Sequence, residues 1–305
     1  MPDKPAAEVA ITAETVRELI DSQAVEAIPN AASQPLAKAA EGWDNELWRL
    51  GSRLAVRLPR RALAAPLILH EQAALPAIAE RLVTTGVRVP APVFAGRPAE
   101  CFPWHWSVVP WLEGVRALDT DRAARSSWAE SLAHAVSALH ETAPQGHPVN
   151  PVRGVPLIER ALAVDERFEM LREAGRLPRA LLDPAAAAWR AGLEAPAWAR
   201  PPVWIHGDLH PGNLVIRDGA LAAIIDFGDV TAGDPAYDLA VAWLAFDAYG
   251  RTQFRAATRG RYDDATWTRA AAWAAAFAVL LLARSDDDPD YAALGRDALE
   301  QVMRR

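Results

Sequence analysis

The octapeptide His206-Gly207-Asp208-Leu209-His210-Pro211-Gly212-Asn213 constrains this chain more than any other segment. It directly follows the apolar run 203–205, and Gly207, Pro211 and Gly212 keep it from continuing as a helix or strand. A loop therefore gathers carboxylate, amide and imidazole groups. Thirteen residues beyond Asn213 comes Asp226, at the end of the apolar run 222–225 and followed by Phe227-Gly228-Asp229. Segments 214–216 and 222–225 read as a hairpin around Asp218-Gly219. One amide and one carboxylate converging on the same place, both oxygen donors, suit Mg²⁺ and substrate phosphates. The other carboxylate, Asp208, can accept a proton from a hydroxyl nucleophile. A base, two metal ligands and a charge clamp are what phosphoryl transfer requires. Any one Asp or Asn in a Gly/Pro loop commonly makes an Asx turn and nothing more. The argument rests on several offsets coinciding. His206 and His210 stand at the spacing of a zinc-binding pair, but Gly207 and Pro211 keep them off the helix face that such a motif uses.

Composition narrows the rest. The 305 residues are 51 % hydrophobic and 23 % charged, which is globular and compatible with one or two domains. Lys and Arg number 32 against 39 Asp and Glu, a net charge of −7, so nucleic acid is not the expected partner. The single cysteine, Cys101, leaves no intramolecular disulfide. No apolar core of a targeting signal follows Lys4. The longest apolar run, 270–283, is shorter than the roughly 18 residues that span a bilayer. A buried helix is expected there, in a cytoplasmic protein with no membrane partner.

Along the chain, residues 12–22 read as a helix capped by Thr12, followed by a Pro- and Ala-rich stretch over 29–40. Strands are expected at 46–50 and 53–59 around the Gly51-Ser52 turn, and near 93–95 and 106–110. Period-two alternation places Arg57 opposite Leu54, Val56 and Leu58. Helices are expected at 67–83, 127–140, within 156–192 and from Tyr237 onward, and the character changes from strand-rich to helix-rich near residue 113.

H-G-D-L-H-P-G-N at 206–213, I-D-F-G-D at 225–229 and G-D-P-A-Y-D-L-A at 233–240 together resemble the aminoglycoside phosphotransferase family, which includes macrolide kinases and has a fold similar to that of eukaryotic protein kinases. The resemblance implies an α+β, two-lobed fold. Residues 1–113 would form a small antiparallel-sheet lobe with a leading helix and hinge, and 114–305 a larger, mainly helical lobe. It makes Asp208 the catalytic base, Asn213 and Asp226 the Mg²⁺ ligands, and His206 and Asp238 supports of the catalytic loop. Glu41-Gly42-Trp43-Asp44-Asn45 occupies the place of the nucleotide-covering loop, implicating Trp43 and Asn45. Arg57 stands where the family usually has a lysine that grips the α- and β-phosphates, and Glu71 would be its partner. Arginine keeps the charge and adds a bidentate fork. Arg60 and Arg61 are expected to be solvated. In the hinge, the Pro110 carbonyl and the Leu112 N–H would read the purine edge of ATP or GTP.

Only 12 residues separate Asp226 from Asp238, which leaves no room for a long peptide-docking segment, so a small hydroxylated molecule is the expected acceptor. Asp234, Trp243 and Asp247 are candidates to line its pocket, with Asp263 and Asp264 as further carboxylates. Three readings stay open on the sequence: an antibiotic O-phosphotransferase, a kinase of a sugar, amino alcohol or choline-like metabolite, and a nucleotide-binding pseudoenzyme. The expected assembly is a monomer or homodimer.

Overall fold

The computed structural model describes residues 5–285 and 288–304. The first four residues and part of the acidic run at 286–290 lie outside the described residues. The chain opens with α1 (Ala13–Gln23), where Thr12 Oγ1 accepts the Thr15 N–H at 3.2 Å and Val16, Leu19 and Ile20 form the buried stripe. Strands β1 (Leu36–Glu41), β2 (Asn45–Leu50) and β3 (Leu54–Pro59) follow, then α2 (Ala65–Leu82), β4 (Phe94–Gly96) and β5 (Trp106–Pro110). These five strands form one antiparallel sheet, ordered β1-β2-β3-β5-β4. β1 falls inside the stretch that composition marks as Pro- and Ala-rich. It is an edge strand exposed on both faces, so it lacks the apolar alternation that betrays a half-buried strand. β3 lies at the centre of the sheet, with Arg57 registered opposite Leu47 on β2 and Ser107 on β5.

The remainder is mainly helical. After β6 (Val115–Arg116) come α3 (Ala129–Leu139), α4 (Ala161–Ala174), α5 (Arg179–Glu194) and β7 (Val203–Ile205). β8 (Leu214–Arg217) and β9 (Ala220–Ile224) form the expected hairpin, its turn made by Asp218 and Gly219, both at positive φ. β10 (Thr231–Gly233) pairs antiparallel with β7. Helices α6 (Ala236–Leu239), α7 (Val241–Ala245), α8 (Ala248–Ala257), α9 (Asp264–Arg284) and α10 (Pro289–Met303) complete the chain.

Two buried apolar clusters organise this architecture. One joins α1 to β2, β3 and β5 through Leu19, Ile20, Leu50, Val56, Trp106 and Val108. The other fills the helical part and also takes in Ala74, Leu75, Ile78 and Leu82 of α2. The inner face of α2 thus packs on the helical part, while Gln72 Nε2 donates to the Trp106 carbonyl of β5 at 2.9 Å. α9 is the spine of the larger cluster. Its 21 residues exceed the apolar run counted in the sequence and meet the length and composition of a membrane span, but its apolar window is 67 % buried within the protein. Gly192 lets α5 lie directly on it, since a Cβ there would come 2.2 Å from the Ala272 Cβ. Trp267, Trp273, Phe246 and Phe277 all belong to this core, which accounts for much of the aromatic bias of the C-terminal part.

Candidate active site

β7 delivers the chain into the octapeptide, and its first residues are held by a single carboxylate. Asp238, on α6 and 1 % exposed, accepts the N–H groups of His206 at 2.7 Å and Gly207 at 3.1 Å. The His140 Nε2 lies 3.2 Å from the same carboxylate, and its Nδ1 meets the Tyr262 hydroxyl at 2.9 Å. Gly207 sits at φ +83°, and a Cβ there would fall 2.3 Å from the Asp229 carbonyl oxygen, so only glycine lets the loop back onto residue 229.

Ile225 is the point where the two motifs join. Its carbonyl lies 2.8 Å from His206 Nε2, and its N–H donates to the Asn213 carbonyl at 2.9 Å. His206 Nδ1 accepts the Asp208 N–H at 3.1 Å, so Nε2 is the ring nitrogen that donates to the Ile225 carbonyl. Both ends of the octapeptide therefore grip the residue before Asp226. Asp226 itself sits at φ 63°, a left-handed conformation that costs a non-glycine residue about 1–3 kcal/mol.

The Asp208 carboxylate is ringed by donors. Arg153 Nη2 lies 3.5 Å from Oδ1, while His210 Nε2 and Asn213 Nδ2 each lie 3.4 Å from Oδ2. Burial pushes its pKa upward, but His210 and Arg153 outweigh that and hold it well below the usual carboxylate range. His210 Nδ1 accepts the Gly212 N–H at 3.0 Å. With all four ring nitrogens of His206 and His210 engaged, neither imidazole has a lone pair to offer a cation. Asn213 Nδ2 also donates to the Asp208 carbonyl at 2.9 Å, which leaves its amide oxygen as the free donor atom.

Arg57 bridges both halves of the molecule. Its Nε lies 3.0 Å from Glu71 Oε2 on α2, and its Nη2 lies 2.7 Å from Asp226 Oδ1. Burial disfavours the guanidinium charge, but these two carboxylates more than offset it, and the pKa of Arg57 is raised. Burial also pushes Glu71 up to about 7, against the pull of Arg57. One cation is shared by two carboxylates, and Glu71 Oε1 is left without a hydrogen-bond partner.

Around the turn between β1 and β2 the sequence expectation needs correction. Arg60 is 5 % exposed and not solvated: its guanidinium donates to the carbonyls of Gly42 at 3.2 Å and Trp43 at 3.3 Å and pairs with Glu41 at 2.9 Å. Arg61 pairs with Asp44. The turn carbonyls between β1 and β2 require donors, and β3 supplies them as it ends. Trp43 projects from this turn, 41 % exposed, while Asn45 is buried at its base. At the hinge, the Trp111 N–H donates to the Arg53 carbonyl at 2.8 Å, and Arg49 stacks on the Trp111 ring at 4.5 Å. The Leu112 N–H has no hydrogen bond among the described residues.

The three pocket candidates are placed elsewhere. Asp234 is bound by the buried Arg269, with Nε at 2.6 Å, and also caps the Ala236 N–H at 3.0 Å. Asp247 caps α8 through the Gly250 N–H at 2.8 Å. Trp243 lines a cavity of about 640 Å³ between α5 and α7–α10, together with Arg251 and Trp267, and no residue of the octapeptide lines it. Asp263 caps α9, and Asp264 pairs with Arg255 at 2.7 Å. Sequence reasoning missed Arg153, His140 and Tyr291. The Tyr291 ring meets the His210 ring edge-on at 5.4 Å, and its hydroxyl lies against Gly212. Burial, with Asp208 next in effect, pushes that hydroxyl up to about 12. All three are single residues far from the motifs, and no spacing rule reaches them.

A small antiparallel sheet set against a helical body, with a carboxylate loop and a second acidic loop locked together between them, defines a kinase-like phosphotransferase fold. The model of the phosphotransferase enzyme family, APH, matches residues 36–273, and the chain belongs to that family. Among solved structures, the GDP complex of wild-type aminoglycoside 2'-phosphotransferase-IIIa is similar at a TM-score of 0.64 and 21 % identity, covering 94 % of this chain and 98 % of that one. The GDP and kanamycin complex of APH(2")-IIia gives 0.63 and 22 %, covering 92 % and 97 %. The macrolide 2'-phosphotransferase MphH from Brachybacterium faecium gives 0.61 and 19 %, covering 93 % and 97 %. A search of curated proteins returns no match.

Proposed function

We propose that this protein transfers the γ-phosphoryl group of ATP or GTP to a hydroxyl of a small molecule, with an antibiotic as the leading acceptor class. The observation that carries the reading is the double grip on Ile225, which ties the residue before Asp226 to both ends of the octapeptide that holds Asp208 and Asn213. The nucleotide would lie between the 1–113 and 114–305 parts, with its purine edge at the Pro110 carbonyl and Leu112 N–H and its phosphates at Arg57. The free amide oxygen of Asn213 and the carboxylate of Asp226 are hard oxygen donors of the kind Mg²⁺ takes. When bound, the ion would neutralise charge on the transferring phosphates. Arg57 would exchange its bond to Asp226 for the nucleotide phosphates while keeping Glu71. Asp208, held ionised by its neighbours, would accept the hydrogen bond of the acceptor hydroxyl and align it for in-line attack. A loose transition state asks for alignment more than for a strong base.

Of the candidate carboxylates for the amines of a polycationic acceptor, Asp234 is held against the buried Arg269, while Asp263 and Asp264 stay exposed. The acceptor types this reading admits are an aminoglycoside, a macrolide or a nucleoside antibiotic. The test is turnover of Mg²⁺-ATP and Mg²⁺-GTP against aminoglycosides, macrolides, nucleoside antibiotics and small polyols or amino alcohols. Turnover dependent on an antibiotic supports the reading. Turnover with a metabolite alone moves the protein to metabolic kinases, and nucleotide binding without any turnover overturns it.

A further inference from the structure

Arg153 comes from an irregular segment between α3 and α4 that is built to aim one side chain. Thr231 Oγ1 donates to the Pro148 carbonyl at 2.8 Å and accepts the Asn150 N–H at 3.3 Å, fastening the segment to β10. The Asn150 side-chain oxygen accepts the N–H groups of Val152 at 3.0 Å and Arg153 at 3.1 Å, and its Nδ2 donates to Asp229 at 2.8 Å. The Arg153 guanidinium then places Nε 3.0 Å and Nη2 2.9 Å from Asp229 Oδ2, and Nη1 2.9 Å from the Tyr237 hydroxyl. That fork is anchored at three atoms, and its Nη2 still lies 3.5 Å from Asp208 Oδ1. The contacts on the other oxygen of Asp208, from His210 and Asn213, are long as well. Of these neighbours, only the Arg153 group is both permanently charged and held by partners outside the octapeptide.

We propose that Arg153 is a positioning residue for the phosphoryl transfer. It acts through Asp208, holding that carboxylate in the rotamer that meets the acceptor hydroxyl, while Asp229 and Tyr237 keep Arg153 itself in place. The proposal rests on the phosphotransferase reading above. A lysine would keep the charge but lose the fork, so the two contributions separate by substitution.

The experiment is hydrolysis of Mg²⁺-ATP and Mg²⁺-GTP, with water as the acceptor, by the full chain and its Arg153→Lys, Arg153→Gln and Arg153→Ala variants. The expected kcat loss is about 100-fold for Gln and about tenfold for Lys, with the nucleotide KM within about twofold. Millimolar methylguanidinium restores part of the rate to Arg153→Ala and none to the unaltered protein. Asn150→Ala frees the segment without removing the guanidinium, and about a tenfold loss of kcat is expected there even where Arg153→Gln does not fold. Unchanged kcat in Arg153→Gln overturns the proposal. So does a kcat loss matched by an equal rise in KM, or a loss that methylguanidinium leaves untouched. Absence of hydrolysis by the unaltered protein with either nucleotide, and of turnover with every acceptor, overturns the phosphotransferase reading and this proposal together.

Discussion

Asp208 and Glu71 are both carboxylates beside an arginine, and their surroundings drive them in opposite directions. Asp208 has several donors, so it stays ionised and suits alignment of a hydroxyl. Asp208→Ala is expected to lower kcat by about 10²–10⁴-fold while nucleotide affinity, measured by calorimetry, stays unchanged. Glu71 shares one guanidinium with Asp226, and burial pushes it up to about 7 from its ordinary value of 4.5. A carboxylate raised on folding binds more protons in the native than in the unfolded state. Its contribution to stability is full below about pH 4.5 and is lost as pH climbs through about 7, on the order of 3 kcal/mol in all. Urea denaturation of the unaltered protein and of Glu71→Gln across pH 4.5–7.5 checks this, and the variant should have the flatter profile. Asp234 gives a third expectation. Its removal leaves Arg269 buried without a counter-charge, so Asp234→Ala should lose about 3–5 kcal/mol of stability, read from the same denaturation curves. The bonds that Asp238 accepts from the His206 and Gly207 N–H groups suit the loop-supporting role that the family resemblance implies for it. Arg153 could not be anticipated from the residues alone. Nothing in Asn150-Pro151-Val152-Arg153-Gly154 announces that it folds back on Asp229.

At the scale of elements, helices and strands with one buried face were legible in the sequence: α1 from its Thr12 cap, β2 and β3 from alternation about Gly51-Ser52, and the β8–β9 hairpin from Asp218-Gly219. β1 was not, because an edge strand with two wet faces carries no pattern. The loops gave up least. Arg60 and Arg61 look like surface charges in one dimension, yet both are drawn in by the turn between β1 and β2. Arg60→Ala should loosen that turn and raise the nucleotide KM several-fold, with kcat little changed, in steady-state kinetics. Gly207→Ala tests the catalytic loop, since the added Cβ meets the Asp229 carbonyl at 2.3 Å and the residue keeps φ +83°. A loss of about 2–4 kcal/mol in denaturation, together with loss of turnover, is expected.

For the molecule as a whole, the division near residue 113 describes the chain better than it describes the packing. α2 lies before that point, yet four of its apolar residues belong to the core of the helical part. The sheet keeps a separate core with α1. Local pattern shows that α2 is amphipathic but not which neighbour receives its apolar face, so this allegiance was out of reach of the sequence. It has a mechanical consequence. α2 ties the sheet to the helical body, through Gln72 Nε2 to the Trp106 carbonyl at 2.9 Å and Glu71 to Arg57 at 3.0 Å. Arg57 on the sheet and Asp226 beyond β9 belong to the two parts that the division near residue 113 separates. Their ion pair would act as a latch whose opening frees the guanidinium for the nucleotide phosphates while Glu71 still holds it.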